Sequence, residues 1–431
     1  MSASDEDHRP AGRQQSGPPG AVTSNAEDVP HPRGRYRALA VLALAMMLSM
    51  APWFSASAVI PQLRDDWGLS TGAASLLIIA VQLGFVAGAV ISAGFSLADV
   101  VPPRRLMLLG TLGAAAANGA LVLVEGPGAA VPLRFLTGAF LAAVYPPALK
   151  AMSTWFTTGR GMALGVMVGA LTLGSALPHL VNGLGGLDWQ VVILATSASA
   201  VMGGLIAEFV ATDGPNPFPS APFDPRQAGR AWRNQGVRLS SLGYFGHMWE
   251  LYAMWAWFAA FFADALAAGG DDNVRTGAAL ATFVVIGAGS VGCWVGGLLG
   301  DRWGRTKSTT LAMAISGSCA LTIGLLRSGP IALVLVVAVV WGFWVVADSA
   351  QFSTIVTEVA DQAYVGTAVT LQLAVGFTLT VATIWLVPFL RDQAGWAWAF
   401  AVLAPGPFLG ILAMQRLARS PIAAEIAGGR G

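Results

Sequence analysis

From residue 38 onward the chain alternates between long apolar stretches and short polar ones. A membrane-spanning helix needs about 20 mostly apolar residues. Twelve stretches meet that length, roughly 38–60, 72–97, 106–124, 129–151, 161–182, 190–211, 240–265, 277–299, 308–327, 331–353, 365–390 and 396–415. The connections are short except for 212–239, which is proline-rich from Thr212 to Pro219 and then basic at Arg226, Arg230, Arg233 and Arg238. That stretch divides the chain into two sets of six. The pattern predicts an all-α membrane protein: a tail at 1–35, a six-helix bundle at 36–211, a linker at 212–239, a second bundle at 240–415 and a tail at 416–431.

Residues 1–32 are polar, rich in Pro, Gly, Ser, Gln and Asp, and lack the apolar core of a signal peptide. They read as a disordered cytoplasmic tail. With the N-terminus inside, every Lys and Arg falls on the cytoplasmic side except Arg64, Arg275, Arg327, Arg391 and the intrahelical Arg134. That asymmetry follows the positive-inside rule and places both termini in the cytoplasm. Composition agrees: 55% of residues are hydrophobic and 11% charged, against about 25% charged in soluble domains. A net charge of +1 gives no reason to expect a nucleic-acid partner. Cys293 and Cys319 lie in apolar runs, and no His-x-x-x-His or Cys-x-x-Cys spacing occurs. Neither a metal or other cofactor nor an enzyme active site is expected.

One loop stands out: Gly297-Leu-Leu-Gly-Asp301-Arg302-Trp-Gly304-Arg305-Thr-Lys307, between the eighth and ninth stretches. Gly304 permits a tight reversal. Arg302, Arg305 and Lys307 suit an anionic membrane face. The stretch resembles the loop motif of the major facilitator superfamily of secondary transporters. A second copy follows the second stretch, at the spacing that separates the starts of the halves, 38 and 240; there Asp99 is kept but Val100 and Pro102 replace the motif's arginine and glycine. The resemblance implies two six-helix pseudo-repeat halves that rock about a central solute site. It also implies a conformational latch built on Gly297, Asp301, Arg302, Gly304, Arg305 and Asp99. Asp301 is expected to reach the positive end of the eleventh helix, with Glu358 and Asp361 pairing with Arg302 or Arg305. Overall the chain is also somewhat similar to nitrate/nitrite or cyanate permeases.

Ionisable residues at membrane depth point to function. Arg134 opens Arg134-Phe-Leu-Thr-Gly138, which resembles the family's fourth-helix motif and implies an arginine facing the cavity; a residue snorkelling to the outer interface is the other reading. In the seventh stretch His247, Glu250, Met254 and Trp257 recur at three- and four-residue steps and share one face. Glu250 lies near mid-membrane, where a charge is costly, which suits a group that loads a proton on one side and releases it on the other. His247 is able to share that proton or to bind an anion; a Glu250–His247 pair that only locks helices is the packing alternative. Tyr252 and Trp257 are candidate pocket walls. Trp341, Trp344 and Asp348 form a second group, and Gln82, Asn118, Gln351 and Gln372 can hydrogen-bond to solute or between helices. Gly84/Gly88, Gly161/Gly165/Gly169 and Gly292/Gly296 form close-packing faces.

The expectation is a monomeric transporter of the inner or plasma membrane, a proton symporter of a small organic acid or anion working by alternating access. The alternatives are a drug or metabolite efflux antiporter and, after it, a non-transporting sensor on a transporter scaffold.

Overall fold

Eleven of the helices are long and apolar enough to cross a bilayer: α2 (Thr71–Gly94), α3 (Pro103–Leu123), α4 (Pro127–Ser153), α5 (Arg160–Gly183), α6 (Trp189–Phe209), α7 (Gln235–Ala268), α8 (Val274–Trp303), α9 (Arg305–Leu326), α10 (Ile331–Val359), α11 (Val365–Ala394) and α12 (Trp396–Ala418). The computed structural model describes residues 33–156, 159–185, 187–216 and 223–431; the side chains of Ala98 and Asp99 are outside it. The tail at 1–32 and the latch role of Asp99 therefore lie outside the described residues. Within them the secondary structure is entirely helical.

The first predicted span is not one helix. α1 (Arg35–Met50) stops early, and the chain turns through Ala51–Phe54 before short pieces at Ser55–Ala58 and Ile60–Trp67. Pro52 is the cause, since it lacks an N–H and its ring obstructs the preceding turn. α4 is interrupted between Leu141 and Tyr145, just before Pro146-Pro147, and a residue ahead of proline avoids helical angles. α10 breaks between Trp344 and Ser349. α7 starts at Gln235, five residues earlier than predicted, because Asn234 caps it by accepting from Val237 N–H (3.1 Å).

Packing repeats with a six-helix offset. α2 packs on α4, α3 on α6, α1 on α5 and α6; correspondingly α8 packs on α10, α9 on α12, and α7 on α11 and α12. The two sets of six meet along α5–α8 and α2–α11, themselves exchanged by the same offset. The glycine faces explain how closely these helices approach. A Cβ at Gly84 or Gly88 would strike backbone atoms of Phe135 or Ala139 on α4; at Gly165 or Gly169 it would strike the carbonyls of Cys293 or Ser290 on α8; at Gly292 or Gly296 it would strike those of Phe343 or Ala347 on α10. Each stripe thus sets backbone against backbone.

Candidate functional site

At the centre, between the two sets of helices, lies a cavity of about 20 Å³. Its wall is aromatic: Trp53 from the α1 break, Phe85 of α2, Tyr145 at the α4 break, Tyr244, Tyr252 and Trp255 of α7, and Phe377 of α11. Met248 and Leu251 of α7, Val168 and Leu171 of α5, and Val346 and Ser349 at the α10 break complete it. The rings bridge the halves. Phe85 and Phe377 stand 4.7 Å apart, Trp53 and Phe377 5.7 Å, Trp53 and Tyr252 5.9 Å, and Phe54 stacks on Tyr252 at 6.1 Å. All three helix interruptions open onto this point or beside it, so backbone irregularity sits where it borders a cavity.

Of the predicted solute and proton residues, Tyr252 lines the cavity; the others stand behind the wall. Glu250 is buried (2% exposed) and accepts hydrogen bonds from Trp341 Nε1–H (2.7 Å) and Ser316 Oγ–H (2.8 Å). His247 does not pair with Glu250 as the shared face suggested. Its Nδ1 lies 2.9 Å from Asp348 Oδ1, both groups being buried, and its ring packs beside Tyr244 and Phe352. Asp348, at the α10 break, is thus a buried partner to His247. Trp257 donates to the Ile384 carbonyl (2.9 Å), and Gln372 reaches Ser241 Oγ (3.5 Å). These two tie α7 to α11, and the cavity wall does not include them.

Arg134 neither snorkels nor lines the cavity. It is 0% exposed, and the α1 break has captured it. Its guanidinium donates to the carbonyl of Pro52 (2.8 Å), the carbonyl of Trp53, Asn118 Oδ1 (2.9 Å) and Ser55 Oγ (3.3 Å). Interrupting a helix frees carbonyls that need donors, and a planar guanidinium offers several in one fork. The ring wall at Trp53, Phe85, Tyr145 and Phe377 went unread in the sequence; Pro52 and Pro146-Pro147 were the available signal for two of these positions.

The loop motif lies at the end where α1 begins and α12 finishes, the tail end. Gly304 has φ +101°, the left-handed side that favours glycine. Asp301 meets α5 rather than α11: its Oδ2 accepts from Met162 N–H (3.1 Å) in the first turn of α5, and a Cβ at Gly161 would collide with the carboxylate. The positive helix end it answers belongs to α5 because α8 runs against α5 along its length. Arg305 forms the ion pair: Nη2 and Nε donate to Glu358 (2.7 and 3.0 Å), Nη1 donates to Gln351 Oε1 (2.8 Å) and lies 3.5 Å from Asp301. Arg302 is exposed, and Asp361 turns back on Ala363 N–H (2.8 Å). Glu358 also accepts from Ala427 N–H (3.1 Å) of the C-terminal segment. At the opposite, far end, Arg275 donates to the Leu187 carbonyl (3.2 Å) across the halves.

Two sets of membrane-length helices packed around a central cavity define a multi-pass membrane transporter. The Major Facilitator Superfamily model matches residues 42–382, and the chain belongs to that family. It is 31% identical to the puromycin resistance protein pur8 of Streptomyces alboniger over 42% of this chain and 36% of that protein. It is 25% identical to a probable sulfoacetate transporter, SauU, of Cupriavidus necator over 64% of this chain and 68% of that one. With a gallate transporter of Pseudomonas putida it shares 22% identity over 62% and 66%. The match therefore spans about a third of the first relative's length and about two thirds of the other two. The fold aligns with the crystal structure of a bacterial homolog to the human lysosomal transporter Spinster, inward-facing and unoccupied, at TM-score 0.61 and 14% identity, covering 92% of this chain and 98% of that one.

Proposed function

We propose that this chain is a proton-coupled transporter of a small organic acid, working by alternating access as a monomer in the inner or plasma membrane, with both tails cytoplasmic. The observation that carries the reading is the aromatic cavity shared by the halves, with the buried Glu250 directly behind its α7 wall. Rings from both halves pack an apolar solute body and part when the halves tilt. The organic-acid class draws support from two relatives, the probable sulfoacetate transporter and the gallate transporter. The test is reconstitution into liposomes with a pH-sensitive dye and a panel of small organic acids. Solute-driven proton movement is expected; a silent dye across the panel, with solute still taken up, would remove the proton from the account. Drug efflux is the second reading, favoured by the puromycin resistance relative, and puromycin accumulation in inverted vesicles would replace the organic-acid reading.

In this reading Asp301 latches the tail end shut. Asp301→Asn removes a charge facing the α5 start, a contribution of about 1–2 kcal/mol in a partly buried setting, so the closed tail end loses roughly five- to thirty-fold in population. Uptake should weaken while membrane insertion persists. A cysteine placed at Val168 on the cavity wall should react faster with a water-soluble maleimide added from the tail end. Unchanged labelling and unchanged uptake would count against the latch.

A further inference from the structure

Two buried side chains in the described structure carry more than one polar atom and have none of them paired: Gln82, through both amide atoms, and His179, through both ring nitrogens. Gln82 is 0% and His179 1% exposed. An unpaired buried group of this kind carries its full desolvation penalty, and native interiors seldom leave such groups without a partner. Glu250, Arg134, His247 and Asp348 differ, since each is engaged within its own half.

By helical spacing, Gln82 and His179 both lie on faces that continue the cavity wall toward the far end. Gln82 stands three residues before Phe85, on the cavity face of α2. Ser175 and His179 continue the face of Val168 and Leu171 up α5 toward the far end, and Ser175 Oγ is likewise buried without a partner. Contacts on either side fix the height of His179. Gly174 abuts Met47 and Met50, and Asn182 Nδ2 donates to the Ala58 carbonyl (2.8 Å), so His179 stands level with the α1 break. There Phe54 meets Trp255 from the other half at 5.7 Å. The indole N–H groups of Trp53 and Trp255, both on the cavity wall, are also buried and unpaired.

The chemistry of this set is lopsided. It offers an imidazole N–H, an amide NH₂, a hydroxyl and two indole N–H groups, which outnumber its acceptors (the Gln82 amide oxygen, one His179 ring nitrogen and the Ser175 oxygen), and it contains no carboxylate. Such a layer suits a ligand that brings acceptors. We propose that His179 and Gln82, with Ser175, Trp53 and Trp255, form the oxyanion-binding layer of the solute site, on the far-end side of the ring cluster. The layer receives a carboxylate or sulfonate while Phe85, Tyr252 and Phe377 take the rest of the molecule. This rests on the organic-acid reading above. The 20 Å³ between the halves is too small for such a solute, so the layer loads when the far end parts.

The test uses the full chain, with sulfoacetate and gallate as probes. Gln82→Leu and His179→Phe keep approximate volume and remove the donors. Each variant should raise KM about ten- to a hundredfold, the loss expected for one hydrogen bond to a charged group, with Vmax little changed. Without ligand each variant should melt at or above the parent temperature, because an unpaired polar group has been replaced by an apolar one. The ligand-induced rise in melting temperature seen for the unmodified chain should vanish. Unchanged KM with the thermal shift retained, or melting well below the parent in both variants, overturns the assignment. Failure of the unmodified chain to bind or move either acid overturns the organic-acid reading itself, and this layer with it.

Discussion

Glu250→Gln is expected to abolish proton-driven accumulation while leaving solute exchange intact. The substitution is close to isosteric, and its surroundings accommodate it. The glutamine carbonyl takes the Trp341 indole N–H, and the Ser316 hydroxyl, which now donates to Glu250, rotates to accept from the new amide. Folding therefore survives and titration alone is lost. One proton moved per solute lets a pH step of one unit sustain about a tenfold solute gradient, since each pH unit is worth 1.36 kcal/mol per proton. The variant should level off near equal concentrations inside and out. Counterflow of labelled solute against unlabelled should continue, because tilting of the halves remains possible. Accumulation in the variant equal to that of the parent under an imposed pH step would show that Glu250 carries no coupling proton.

Arg134→Leu is the second large effect, and it bears on stability. Four groups lose their guanidinium donor together. Part of that loss is softened: the single Ser55 Oγ–H serves either the Pro52 carbonyl (2.9 Å) or Asn118 Oδ1 (2.7 Å), and Ser55 N–H also reaches the Pro52 carbonyl (3.4 Å). The Trp53 carbonyl has no such substitute among its recorded contacts. One fully orphaned buried acceptor and two weakened ones amount to about 3 kcal/mol. Thermal melting of the detergent-purified chain should drop accordingly, and Trp53, which belongs to the cavity wall, should shift its fluorescence. Arg134→Lys should recover only part of the loss, because an ammonium cannot span the fork. Wild-type melting in the leucine variant would mean that the α1 break holds its shape unaided.

Eleven of the twelve spans and the loop motif were legible because they depend on apolar length and on local residue order, both written directly in the chain. What failed depended on azimuth. α7 buries nearly every face along its middle, from Tyr244 to Phe258, so helical spacing grouped His247, Glu250 and Trp257 without saying that Asp348, Trp341 and the Ile384 carbonyl wait on different sides. The break in α1 was signalled by Pro52 but masked by the uniformly apolar run around it. Asp301 was assigned to the wrong helix start for a related reason. The positive end is a general feature of helices, and only the glycine register of α5 against α8 says which one is near. Phe85 and Phe377 looked like any other lipid-facing ring, because a helix apolar on all sides carries no stripe to orient it.

The glycine seam between α5 and α8 has a mechanical consequence. Gly165 and Gly169 meet carbonyls of α8, and Gly297 meets the Gly161 carbonyl in return, so few side chains interlock along the tail-end half of this line, while Thr172, Leu173 and Leu280 cross it farther along. Where backbone meets backbone, a sliding seam has few side chains to re-seat. Turnover in this transporter should therefore slow only gently on cooling, with the seam contributing little to its activation enthalpy.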